Sequence, residues 1–490
     1  MLLISMVLSA VVADTSVATD SALDFAQLAP ANSVIVASTD DLGALLDQLK
    51  ATPLGGLLEL APVKEALEKG LEAPFAALQG DADDQGVDLG ALMAPTSLGF
   101  ALFTSLDEET GQLLPFILTS AGYGHNADAA WDALQSALQG GQAEGRLEID
   151  SRDVRGREAT VSIVIDSGDE EEMPFDNELA MMLGDTSTLV PDTDTMYFVR
   201  DRSRILLSND LVALDDALAV IDGDGGDAVA GMDDYAAVQG MLGASDATAV
   251  VRFGPLGELL APILMGPVGI ILPAIDEMFG SIEAFGIALA VDADPSAIGM
   301  VELRGAVYAP GEKTGLLGLL TESESIDLTP SKAIPFDAIS FSRINIAFKN
   351  FIPLARDVAA SIPMGGQELD SMLDMYEPML TPALDTLGPA LVQFTTVRKP
   401  IAIDSASNVM MIAAEQPNNV QPMLATIGPA MGLQPRDFKG ETIWSDEAQA
   451  MAFAVSGNGL LFGDLRGIEQ IIRGQGGGGE SIGDNPAFRV

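Results

Sequence analysis

Two spacings of apolar residues alternate along the chain. Strand-like runs occupy Pro30–Ala37, Leu98–Phe103, Pro115–Ala121, Met196–Arg200 and Arg204–Ser208. They recur at Pro335–Phe341, Pro389–Phe394, Asn408–Ala414, Met451–Val455 and Gly459–Gly463. Helical spacing marks Leu42–Leu49, Asn126–Leu138, the stretch through Val220, Ala347–Ala360, Asn419–Met431 and the stretch through Arg473. Asn209 or Asp210 in the first half, and Asp464 in the second, stand where a helix N-cap belongs.

The two sets share one order: strand, helix, an Arg-Asp turn, a strand pair, helix. The turn Arg152-Asp-Val-Arg-Gly-Arg-Glu158 recurs as Arg436-Asp-Phe-Lys-Gly-Glu-Thr442. Self-comparison aligns Leu98–Phe103 with Pro389–Phe394 and Pro115–Ala121 with Asn408–Ala414. A third opening strand, Ser245–Phe253, precedes a helical stretch at Leu256–Met265 and a hairpin of Phe285–Asp292 with Ile298–Tyr308. Short turns between sequential strands predict an α+β fold of duplicated, mostly antiparallel sheets with helices packed on one face. The expected divisions are residues 1–18 as a signal peptide, 27–231 as the first repeat and 232–330 as a central strand-helix block. Residues 331–474 form the second repeat, and 475–490 a Gly-rich linker with the start of a further, truncated unit.

Composition narrows the chemistry. With 72 acidic and 24 basic residues the formal charge is −48, a field that repels nucleic acid and anionic lipid. Cysteine is absent, which removes disulfides, thiolate nucleophiles and zinc-thiolate sites, and His125 is the sole histidine. The start, Met1–Ala13, is a short apolar run with Val11 and Ala13 at signal-peptidase positions, although no basic residue precedes it. It implies export, to the periplasm or the cell exterior. The uncharged run Leu259–Ile275 holds three prolines and two glycines and reads as two short buried helices; the competing reading is a membrane-inserting hairpin. No transmembrane span beyond the signal segment is expected.

Pro30-Ala-Asn-Ser-Val-Ile-Val leading to Asp41-Leu42, Ala51-Thr-Pro-Leu-Gly55, Gly86-Val-Asp-Leu89 and Asp484-Asn-Pro-Ala-Phe488 resemble exported proteins common in planctomycete-type bacterial genomes. That group is known only as a domain of unknown function. The resemblance runs from about Gln27 onward. It implies an envelope or secreted location and a repeated α+β fold, and it transfers no catalytic residue.

Candidate sites are few. Arg155 and Arg157 alternate along one strand-like run, and Arg200, Arg202 and Arg204 along another. If the runs pair, they form a cationic stripe able to hold a carboxylate or phosphate; alternatively they meet the acidic insertion around Asp169–Glu172 in ion pairs. Asp81–Leu92 matches a calcium loop at its first, third and sixth positions and fails at its twelfth. Asp222-Gly-Asp-Gly-Gly-Asp227 clusters three carboxylates on a turn. Met372, Met375 and Met379 lie on one face of a helix and read as core filling, or as the wall of an apolar pocket. No nucleophile elbow or Walker loop is present, so no catalytic residue, metal ligand or cofactor is assigned. The leading expectation is a non-catalytic exported binding or structural protein of the bacterial envelope, whose partner is an envelope protein or an apolar small molecule. A periplasmic carrier of a lipid or other apolar ligand is the second reading. The third is a carboxylate-dependent hydrolase, which needs two acids facing one cleft.

Overall fold

A computed structural model describes residues 24–52, 92, 95–106, 113–164, 194–264, 282–291, 301–311, 313, 315–321, 334–362, 366–397, 405–414, 416, 419–448, 450–457, 459–475 and 481–484. The apolar start, the calcium-like loop, the acidic insertion and most of Leu259–Ile275 lie outside them. The chain divides into two compact units, residues 1–268 with 282–310 and residues 269–281 with 311–490.

The first unit carries a ten-stranded sheet. Its strands are β1 (Ser33–Thr39), β2 (Ser97–Leu106), β3 (Leu113–Gly122), β4 (Leu147–Val154), β5 (Arg157–Val164), β6 (Thr195–Asp201), β7 (Arg204–Ser208), β8 (Ala247–Arg252), β9 (Ala284–Val291) and β10 (Val301–Tyr308). Their order across the sheet is β10-β9-β8-β1-β2-β3-β7-β6-β5-β4. The second unit carries β11 (Ala338–Asn345), β12 (Leu387–Val397), β13 (Ala406–Ala414), β14 (Gln434–Phe438), β15 (Glu441–Ser445), β16 (Ala452–Ser456) and β17 (Gly459–Gly463), in the order β11-β12-β13-β17-β16-β15-β14. Every described strand pair is antiparallel, and the fold is α+β.

The two sheets agree in register as well as in strand order. Strands β1–β7 and β11–β17 have the same order, and each pairing within one set is matched in the other. Val36 faces Ala101 as Phe341 faces Phe394, and an irregularity falls at the same place, between Ser33 and Ile35 and between Ala338 and Ser340. Leu102 faces Ile117 as Thr395 faces Asn408. Leu118 faces Ser208 as Val409 faces Gly463, and Tyr197 faces Ser208 as Ala452 faces Gly463. Ala159 faces Val199 as Ile443 faces Ala454, and Val154 faces Arg157 as Phe438 faces Glu441. The bridge Pro30–Ala228 has its counterpart in Pro335–Ser481.

This register moves two of the sequence alignments by two residues. Thr396, not Phe394, is the counterpart of Phe103, and Ile117, not Pro115, answers to Asn408. A slip of two keeps every side chain on its own face, so the alternation of apolar residues could not detect it.

Helices sit alike in both copies. In the first unit α1 (Phe25–Leu28), α4 (Leu211–Asp222) and α5 (Asp233–Leu242) cover the main core, where Phe103, Leu118 and Leu206 meet Leu214, Leu218 and Val238. On the opposite face α2 (Leu42–Ala51) and α3 (Ala127–Ala143) close smaller clusters around Leu45 and Ala130. A further helix, α6 (Phe253–Leu264), follows β8. The second unit contains α7 (Gly315–Thr321), α8 (Phe351–Ser361), α9 (Gly366–Leu384), α10 (Gln421–Ala430) and α11 (Leu465–Gln475). There α11 buries Leu465, Ile468 and Ile472 over Val409, Ile443 and Leu461, while Leu424 of α10 packs on Val455 and Leu460. Among the described residues no helix is long and apolar enough to cross a membrane.

The turns are copied too. Helices α3 and α10 end in the same glycine cap: Arg146 N–H donates to Gly141 O (3.0 Å) and Leu433 N–H to Gly428 O (2.9 Å). The capping glycines Gly145 and Gly432 both have φ of 75°. The β4–β5 and β14–β15 hairpins turn through Arg155-Gly156 and Lys439-Gly440, all four at positive φ, the geometry that matches strand twist. At the start of α4 two neighbours divide two tasks. Asn209 Oδ1 accepts from Ile117 N–H (2.8 Å), and Asp210 Oδ1 caps the helix through Val212 N–H (2.9 Å). In the second copy Asp464 does both, accepting from Asn408 N–H (3.0 Å) and Gly467 N–H (2.9 Å).

Candidate functional site

The arginines singled out in the sequence do not form one stripe. Arg155 occupies a hairpin turn at φ 52°, and Arg202 another at φ 52°. Arg204 lies opposite Asp201 and Arg200 opposite Ile205, so Arg200 and Arg204 point to opposite faces of the sheet. Period-2 spacing does not carry through the turn between them.

Arg155, Arg157 and Arg200 are each bonded to aspartates of their own unit. Arg157 Nε donates to Asp201 Oδ1 (2.8 Å), and its Nη1 and Nη2 grip both oxygens of Asp222 (3.0 and 2.8 Å). Arg155 donates to Asp215 (3.1 Å) and Asp224 (2.8 Å). Arg200 donates to Asp128 of α3 (2.5 Å) and to the carbonyl of Arg202 (3.2 Å). Two carboxylates of the acidic turn Asp222–Asp227 therefore hold cationic side chains. That turn follows the C-terminus of α4, whose dipole also favours positive charge. Bonding to Asp222 keeps Arg157 protonated beyond its ordinary range, and Arg157 in turn holds the Asp222 carboxyl below the usual carboxylate value.

The second copy keeps this clasp with different residues. Glu469 of α11 occupies the helical position of Asp215 and pairs with Arg436 (2.6 Å) and Arg473 (2.9 Å). Both cations also lie over the Phe438 ring, at 5.9 and 5.1 Å from its centre. In each copy an acid on the covering helix thus ties down the first hairpin.

Three concavities stand out among the described residues. In the second unit a groove of about 970 Å³ runs past Thr396, Ser407, Asp464, Arg466 and Arg473. Ser407 Oγ donates to both carboxylate oxygens of Asp464 (2.8 and 2.7 Å). The sheet positions of Thr396 and Ser407 are filled in the first copy by Phe103 and Phe116, whose rings stack at 5.9 Å.

In the first unit an apolar pocket of about 210 Å³ lies beside α3, between Leu98, Leu134, Phe198, Ile205 and Leu207. Tyr123 borders it and donates its hydroxyl to Leu92 O (3.0 Å); burial pushes this phenol to about 12. An open cleft of about 450 Å³ in the same unit is lined by Asp24, Thr39, Asp40, Tyr235, Gln239 and Thr248. Burial and the neighbouring Asp24 raise the Asp40 carboxyl, with Arg204 opposing. Asp24 itself accepts from Ala26 N–H (3.0 Å) and caps α1. The Thr39 hydroxyl is buried in the cleft wall with no hydrogen-bond partner.

His125 is exposed in a short 3₁₀ turn. Met372 and Met375 are 53% and 64% exposed, so they fill no core, and they line none of the three concavities. Among the described residues no three His, Asp or Glu side chains are grouped to hold a metal ion. No family model, curated protein or solved structure matches this chain.

Proposed function

We propose that this chain is an exported, non-catalytic binding or structural protein of the bacterial envelope, of the planctomycete-type group its sequence resembles. One observation carries the reading: the two sheets share strand order and register, yet polar residues at the candidate sites differ. Phe103 and Phe116 stand where Thr396 and Ser407 stand, and Arg157 where Glu441 stands. A catalytic site inherited with the duplication would leave one constellation in both copies. What recurs instead is a helix-to-hairpin ion pair, a device that holds the sheet together.

The apolar pocket beside Tyr123 supports the carrier as a second reading. Its 210 Å³ suits a group about the size of one aromatic ring and falls below the roughly 300–1,000 Å³ of ordinary ligand pockets. A lipid is too large for it; a ring-sized apolar ligand is not. The hydrolase reading has Asp24 and Asp40 in one cleft, but Asp24 is committed as a helix cap.

Native mass spectrometry of the protein isolated from its own envelope tests the proposal. A proteinaceous partner, with no small molecule retained, supports the structural reading. A retained apolar compound, released by Leu207→Trp in the pocket wall, supports the carrier and overturns it.

A further inference from the structure

Sheets protect their edges, because an unpaired strand is a template for another chain. The two sheets have four edge strands among the described residues. β4 carries Glu148, Asp150 and Asp153; β14 is five residues long and holds Pro435, Arg436 and Asp437; β10 carries Glu302, Arg304 and Gly305. β11 reads Ala-Ile-Ser-Phe-Ser-Arg-Ile-Asn, with no proline and no acid in a chain of charge −48. Ile339 and Ile344 on it are 63% and 45% exposed. By composition it is the least guarded of the four.

The first unit shows what covers this edge. β11 is the counterpart of β1, and β1 is not an edge: β8 pairs with it antiparallel. β8 is itself an opening strand of the same kind. Leu42-Gly-Ala-Leu-Leu46 follows β1, and Leu256-Gly-Glu-Leu-Leu260 follows β8 at the same interval, which makes Val250 the counterpart of Val36. In the sheet Val36 faces Val250, Ile35 faces Val251 and Ala37 faces Ala249. Each strand thus sees in the other the positions that it presents itself, about a local two-fold axis through Val36 and Val250. The pairing is that of a homodimer, made within one chain. Burial follows: Val36 and Val250 are at most 1% exposed, whereas among the described residues no strand pairs with the same edge of β11.

We propose that β11 pairs antiparallel with β11 of a second copy of this chain, in the register of β1 with β8. By the shared register Phe341 corresponds to Val36. The dimer axis then passes through Phe341, Ser340 of each copy faces Ser342 of the other, and Ile339 faces Arg343. Two seven-stranded sheets become one of fourteen, the exposed Ile339 gains a neighbour, and no carboxylate on either strand opposes the pairing. The only ionisable residue on β11 itself is Arg343.

Light scattering on the purified chain tests this, with Ser340 and Ser342 as probes because both are exposed and outside the core. The wild type is expected at twice its chain mass at micromolar concentration. S340D/S342D, which sets aspartate against aspartate twice across the seam, is expected at the chain mass with an unchanged circular dichroism spectrum and a Tm that no longer rises with protein concentration. The chain has no cysteine, so register is readable by oxidation: S340C/S342C closes covalent dimers, while S340C alone does not. A wild-type monomer at tens of micromolar, a dimer indifferent to S340D/S342D, or equal cross-linking by S340C alone each overturns the proposal.

Discussion

Replacing Arg157 with methionine separates a structural clasp from an anion site. Methionine keeps an unbranched stem of similar length and removes the charge, so lost packing is kept small. The residue makes three charge-assisted hydrogen bonds, and its side chain is 19% exposed, with Asp201 at 12% and Asp222 at 35%. Exposed pairs contribute about 0.2–1 kcal/mol, and breaking a buried pair costs about 3–5 kcal/mol. The Asp201 side approaches the buried limit and the Asp222 side the screened one, which places Arg157→Met near 1.5 kcal/mol. For a unit of this size that is a fall of about 2–3 °C in Tm, read by calorimetry. Glu441 holds the equivalent position in the second copy, so Glu441→Met is expected to change stability by less than about 0.5 kcal/mol. The pH response follows from Asp222. Its folded carboxyl lies below the ordinary 3.8, so its contribution is present above that value and is lost as pH falls through the folded one. The gap between wild type and variant should therefore close in acid below about pH 4. A variant as stable as wild type, in which added phosphate or citrate no longer raises Tm as it does for the wild type, would refute the clasp and restore the anion site.

The two helical glycines whose carbonyls accept the cap bonds, Gly428 and Gly141, should respond unequally to alanine. A Cβ on Gly428 would lie 2.7 Å from the Trp444 ring, which cannot yield, so Gly428→Ala should cost about 1–3 kcal/mol and alter tryptophan emission. On Gly141 the obstacle is Leu147 Cδ1 at 2.7 Å, the end of a flexible side chain, and Gly141→Ala should cost less than half as much; equal losses would count against this packing. Burial pushes Tyr123 and Tyr235 from 10.0 to about 12, which favours the neutral phenol in the folded chain. Their contribution is complete below pH 10 and disappears as pH rises through about 12, so phenolate absorbance should show two of five tyrosines ionising with alkaline unfolding. Ionisation of all five before unfolding would contradict this.

The fold was legible in the sequence wherever a turn left its own mark. Arg152–Glu158 against Arg436–Thr442 aligned correctly because Arg155-Gly156 and Lys439-Gly440 need positive φ at both positions, and few residue pairs accept it. The strands β2, β3, β12 and β13 offered only alternation, and their alignment slipped by the one step that alternation cannot see. The arginine pattern misled for a related reason. Spacing along a strand fixes a face only while the strand lasts, and Arg200 and Arg204 are separated by a turn at Arg202. Their partners could not be anticipated either, since Asp215, Asp222 and Asp224 reach the hairpin only through the packing of α4, and Asp201 only through the pairing of β6 with β5. The polar groove at Asp464 was equally hidden: its lining residues come together only once β12, β13 and α11 are placed side by side.

The account rests on one register built twice, and cysteine-pair scanning measures that register directly in a chain with no cysteine of its own. Pairs stepped along β5 and β6 from Ala159–Val199, and along β15 and β16 from Ile443–Ala454, should give matching profiles of disulfide closure. A profile in the second copy displaced by one or more residues from that of the first would contradict it.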